Sequence, residues 1–115
     1  MGLPIFVENS RVPVILSKVS PIDIWAISLG LFVFSRGEIN EVTRQHETIH
    51  YRQWLELGFI LFPILYGAYF LINRLKGQDG ELAYFNIPFE REAYEHQSTE
   101  GYLEARKLWA WAKYA

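Results

Sequence analysis

Cysteine is absent from this chain of 115 residues, so no disulfide can staple it and no thiolate can hold a metal. Any transition metal must therefore be held by imidazole and carboxylate. Histidine is nearly as scarce, with three in total. An excess of one charge is missing too: 11 Lys and Arg stand against 13 Asp and Glu, for a net charge of −2, and the basic residues are scattered. That balance offers no electrostatic footprint for DNA or RNA, and no nucleic-acid partner is expected. The start, Met1 to Glu8, lacks a basic stretch followed by an apolar one, so no cleavable signal peptide is expected and the location is read as cytoplasmic or membrane-associated. Internal repeats and low-complexity stretches are also missing. Apolar residues are not lacking: 50% hydrophobic and 17% aromatic residues suffice for one domain spanning 1–115 with a real core.

Two of the three histidines fall in Gln45-His46-Glu47-Thr48-Ile49-His50-Tyr51, which contains His-Glu-x-x-His. On a helix, residues four apart lie on one face a turn above each other, so His46 and His50 can reach a single ion. Glu47 sits about 100° round the axis, within reach of a water at that ion. The bland alternative is a pair of surface histidines. The spacing makes a zinc-dependent hydrolase, with Glu47 as catalytic base, the leading expectation.

The pattern reads as α+β, mostly α, with a small N-terminal sheet followed by helices. Leu3 to Val7 and Val12 to Leu16 are short β-branched runs, each with a proline, and suit a hairpin across Glu8 to Arg11. Ser20 to Asp23 can start a helical turn, and Ile27 to Ser35 reads as one strand. Asn40 or Glu41 opens the motif helix, which can continue as far as Ile72 with a kink near Pro63. Lys76 to Gly80 is a loop, Asn86 caps a helix over Ile87 to Gln97, and a last helix runs from Tyr102 to Tyr114.

Leu57 to Ile72 holds 16 residues without a charge, about 24 Å as a helix and short of the roughly 30 Å hydrocarbon core. It fits a buried core helix, an interfacial segment or a short span. Trp54, Tyr66, Tyr69, Arg52, Arg74 and Lys76 are residue types that interfacial anchoring uses. The uncharged Ile24 to Ser35 and the tail Leu108-Trp109-Ala110-Trp111 point the same way, so membrane association through residues 57–72 is a second expectation.

A catalytic zinc takes three protein ligands and leaves a position for water, so a third ligand is needed. His96 is one candidate, and Pro88 to His96 offers several carboxylates. At 100° per residue, Phe89, Ala93, Tyr94 and Gln97 mark the buried side of that helix, and Arg91, Glu95 and Ser98 the solvated side. Glu90 lies on the buried side, and Glu92 lies about 200° from it, so one ion is not expected to take both. Glu90 is the preferred third ligand, with Glu92 as the alternative and an ordinary solvated glutamate as the bland reading of either.

Together His46-Glu47-Thr48-Ile49-His50 and Glu90-Arg91-Glu92-Ala93-Tyr94 resemble the gluzincins, zinc metallopeptidases whose third ligand is a glutamate on a second helix. In the membrane-embedded gluzincins and the ImmA/IrrE-like peptidases, alanine follows that ligand three residues on and Asp or Asn four residues on. Glu90 and Ala93 match, whereas Tyr94 departs and would have to replace the outer contact to a ligand histidine. A nearer likeness, from about Leu29 onward, is to small bacterial zincin-like proteins with His-Glu-x-Ile-His, a long apolar helix and a later Phe-Glu-Arg-Glu-Ala-Tyr. The resemblance implies a minimal zincin-like fold, Zn²⁺ on His46, His50 and Glu90, Glu47 as general base, and a peptide or protein substrate. It also implies an oxyanion donor, for which Tyr84, Tyr94 and His96 are candidates, and a strand near Leu31 to Phe34 that pairs with extended substrate. The rival from another class is a non-catalytic module held together by the same metal; a chance motif on a scaffold protein would bind none.

Overall fold

The computed structural model describes residues 4–18 and 25–115; Ser20 to Asp23, where a helical turn was expected, lies outside them. The architecture is α+β and mostly α, as the pattern implied: a three-stranded sheet, one long helix and shorter C-terminal helices. The strands are β1 (Ile5–Val7), β2 (Ala26–Leu29) and β3 (Phe32–Ser35), in the order β1-β3-β2. The expected hairpin between β1 and Val12 to Leu16 does not form. Val12–Ser17 is instead a helix, α1, with Pro13 buried in its first turn, where a fixed φ and a missing N–H cost nothing, and with the Val12 N–H donating to Ser10 Oγ. β1 pairs parallel with β3, and α1 lies in the connection that such a pairing needs.

The single strand expected over Ile27 to Ser35 is two, β2 and β3, paired antiparallel from Ala26↔Ser35 to Leu29↔Phe32. Gly30 makes the turn at φ 65, where a side chain would be strained and a Cβ would meet the Phe59 ring at 3.3 Å. β3 is thus the central strand, so its Leu31 to Phe34 region cannot accept a further strand, contrary to expectation; among the described residues β1 and β2 are the two edges.

The motif helix, α2, runs from Glu41 to Leu75, capped by Asn40, whose Oδ1 accepts the Thr43 N–H at 2.8 Å. Its interruption falls at Gly58 (φ 85, ψ 168) and not at Pro63. Pro63 demands that the carbonyl four residues earlier be moved aside, and Gly58, just beyond it, is the residue able to adopt the required backbone. Two further helices follow. α3 (Gly80–Phe85), in a stretch to which no helix was assigned, is capped by Asp79. Asn86 closes α3 instead of capping the next helix, α4 (Pro88–His96), which starts from Ile87.

The expected last helix is broken into α5 (Tyr102–Ala105) and a 3₁₀ turn at Ala110–Tyr114. Arg106 leaves the helix with ψ 130 to place its guanidinium between Glu56 and Glu92, so a buried ion network overrides helix propensity. The core joins Trp54 and Phe62 of α2 to Ile87, Phe89 and Trp111, with Tyr66 and Tyr69 packed on it. Trp54 and Trp111 are thus buried in the core, and Tyr66 and Tyr69 are half-buried against it.

Gly58 has room for a Cβ, so its substitution tests backbone conformation alone. Gly58→Ala is expected to lower the unfolding free energy by about 1–3 kcal/mol in denaturant melts, the cost of forcing a side chain into that region. An unchanged midpoint would show that α2 does not need the break.

Candidate metal centre

Asn40 starts α2 in the register that sets His46 and His50 one turn apart, both buried. Across from them α4 supplies Glu90, also buried. Its Oε1 lies 3.2 Å from His46 Nε2 and 3.0 Å from His50 Nε2. One ligand atom from each of the three residues falls within 4.8 Å of the others, so this group could hold a metal ion. The donor set, two imidazole nitrogens and a carboxylate, is one that divalent transition metals accept. Glu47 is buried beside it, and its Oε1 has no hydrogen-bond partner among the described residues. A polar atom left so in a folded interior is where a water or ligand belongs.

Each histidine is held from behind. His46 Nδ1 lies 2.8 Å from Gln97 Oε1, and His50 Nδ1 lies 2.7 Å from Gln53 Oε1. Gln53 Nε2 donates to the Phe89 carbonyl and to Glu92 Oε1, which fixes the amide so that its oxygen faces His50. An amide oxygen only accepts, so His50 Nδ1 carries a proton and Nε2 is the nitrogen available to an ion. Tyr66 donates to Glu90 Oε2 at 2.6 Å and so completes the carboxylate.

Glu92 does not join the cluster. It is wholly buried but turned to Arg106, Tyr102 and Gln53, as the angle between it and Glu90 required. His96 also stays apart, stacked on Tyr102 with its rings 4.0 Å apart, and it lines no part of the cavity beside the cluster. Tyr94 does: its ring is 4.5 Å from that of His46, and its hydroxyl lies 2.8 Å from that of Tyr84.

Electrostatics bind the group together. Burial pushes the Glu90 carboxyl up, but the two imidazoles outweigh it and hold it well below the usual range. Burial works to lower His50, and Glu90 overcomes it, raising His50 to about 9. Glu47 is raised, chiefly by burial. The cavity they open into has a volume of about 1140 Å³, walled by β2, α2, α3 and α4.

Gln53, Gln97 and Tyr66 had not been singled out as site residues. Gln53 follows His50 by three and Gln97 follows Glu90 by seven, spacings that share a helix face and could have been read. Tyr66 could not, because its place depends on the break at Gly58. No family model, curated protein or solved structure matches this chain, so the site rests on its own geometry.

Two outcomes are expected. Glu90→Ala should abolish stoichiometric metal binding, whereas Glu92→Ala, which keeps all three candidate ligands but removes one of the two anchors of the Gln53 amide, should only weaken it and lower stability by roughly 3–5 kcal/mol, the cost of stripping a buried ion network of a partner. Equal loss of metal in both, by metal analysis, would contradict the division. The second concerns pH. His50 titrates near 6.5 unfolded and about 9 folded, so its contribution to the metal-free protein is complete below 6.5 and lost as pH rises through 9. Because an ion must displace that proton, metal affinity should rise over the same window, and calorimetry showing a flat affinity there would remove the assignment.

Proposed function

We propose that the protein is a zinc-dependent metallopeptidase. The observation that carries this reading is Glu47: a buried carboxylate with an unpartnered oxygen, beside two histidines and a glutamate that could hold an ion, lining a large cavity. A closed structural site would need neither the open volume nor the extra carboxylate, which weighs against a purely stabilising role.

His46, His50 and Glu90 would hold Zn²⁺, which supplies Lewis-acid polarisation of a carbonyl and lowers the pKa of water. Glu47 takes the proton of the attacking water, and burial, by raising its pKa, makes it a better base. Oxygen then bonds to the amide carbon, the C–N bond breaks, and Glu47 returns the proton to the departing amine. Tyr94, on the cavity wall and hydrogen-bonded to Tyr84, would donate to the oxyanion. β2, the one of the two sheet edges that lines the cavity, contributes Ala26 to Leu29 to the same wall, so an extended peptide can add to it as a further strand.

Glu47→Gln is expected to keep one zinc per chain and to lose about 10²- to 10⁴-fold in kcat on a peptide library, the usual contribution of a general base. Full zinc with undiminished turnover would eliminate this role. Absence of turnover in the wild type, with zinc bound, would favour the stabilising module.

A further inference from the structure

We propose that the outer face of the second half of α2 docks this protein in the interface of an anionic lipid bilayer, lying in the plane of the membrane and not crossing it. Beyond Gly58, α2 continues through residues 59–75, about 25 Å of helix and less than the roughly 30 Å of a hydrocarbon core. Its inner side is committed to the protein: Phe62 packs on Phe89, Tyr66 donates to Glu90, and Asn73 donates to the Ala83 carbonyl. A helix tied down along one side cannot be surrounded by lipid. The other side is a stripe at helical spacing, Ile60, Ile64, Ala68, Leu71 and Leu75, all exposed; Ile60 is 77% and Leu75 78% exposed. No charged residue interrupts it between Glu56 and Arg74.

In the most apolar 18 residues of α2 only 6% are buried, the reverse of a core helix in a water-filled environment. An apolar stripe this long, with nothing packed on it among the described residues, marks a surface that something covers. At its far end stand Arg74 and the exposed Lys76. At the Gly58 end, Glu56 accepts the backbone N–H of Trp109, which holds a left-handed conformation at φ 63 that a non-glycine residue adopts only under constraint. The same turn leaves Leu108 78% exposed and Trp109 47% exposed. Cations and a tryptophan at the ends of an apolar stripe are the chemistry of an interfacial helix.

Charge separates a bilayer from a second copy of the chain. Antiparallel stripes would bring Arg74 and Lys76 over the partner's Gly58 end. There, both oxygens of Glu56 are already taken by Arg106 and the Trp109 N–H. Parallel stripes would set like charges together. An anionic leaflet answers both cations at once.

The test is flotation of the full chain, without added metal, on vesicles of phosphatidylcholine alone and of phosphatidylcholine with 30% phosphatidylglycerol (about 3 in 10 lipids anionic). The wild type should float with the mixed vesicles and bind pure phosphatidylcholine roughly tenfold or more weakly, since each cation near an anionic surface is worth several-fold. Ile60→Glu with Ile64→Glu and Leu71→Glu should abolish flotation on both. Arg74→Glu with Lys76→Glu should erase only the preference for anionic lipid. These positions are exposed, so circular dichroism should stay at wild type; the single Ile64→Gln gives a milder variant with a reduced bound fraction. Flotation unchanged in the triple variant would overturn the proposal. So would a wild-type dimer that Ile64→Glu splits and that ignores vesicles, which would make the second copy the occupant.

Discussion

A carboxylate buried among aromatic rings is the constraint around which this protein is arranged. Glu90 is only 4% exposed, and an ionised carboxylate cannot be left in such a place uncompensated. Every neighbour in reach answers it: two imidazoles on one oxygen, a tyrosine hydroxyl on the other. Without an ion, a proton on His50 balances the charge; with one, the cation does, and the same three atoms become ligands. The fold alone, with no ion, brings the three donors together, so a metal would meet a preorganised ligand set.

The means is the break at Gly58. In an unbroken α2, Tyr66 would stand about 24 Å further along the axis than His50, more than two side chains and an intervening carboxylate can span. Yet Tyr66 and His50 meet on opposite oxygens of Glu90. The turn of the chain at one glycine therefore decides whether the second half of α2 reaches the site. It also gives that half two unlike faces, one walling the cavity with Phe62, Tyr66 and Phe70 and one bearing the exposed stripe.

How much of this could be read in advance follows from how local each feature is. Much of the helix pair was legible: a start at Asn40 or Glu41, the four-residue histidine spacing, and the angle that separates Glu90 from Glu92 each depend on about one turn of a helix. What misled was non-local. Val12 to Ser17 carries strand-type residues, but Pro13 in the first turn favours the helix. The C-terminal pattern reads as one helix, and a pull from Glu56, some 50 residues away, ends it at Arg106. The aromatics of α2 and of the C-terminal tail look alike in sequence, and only packing shows that Trp54 and Trp111 face inward while Trp109 does not.

The two glutamates of α4 show how neighbouring residues of one type divide their work. Glu90 faces the imidazoles; Glu92, two residues on and therefore on the other side, faces Arg106 and Tyr102. Yet Glu92 is not isolated from the site. By accepting from Gln53 Nε2 it leaves the amide oxygen turned to His50, and that sets which imidazole nitrogen carries the proton. Reversing the amide would place two donors against each other at His50 and remove the acceptor that orients its ring. The ion network of the C-terminal segment, Glu56–Arg106–Glu92, is thereby coupled through one glutamine to the geometry of the candidate ligand set. Residues 102–106, which touch neither candidate ligand histidine, are thus part of what makes His50 Nε2 face the cluster.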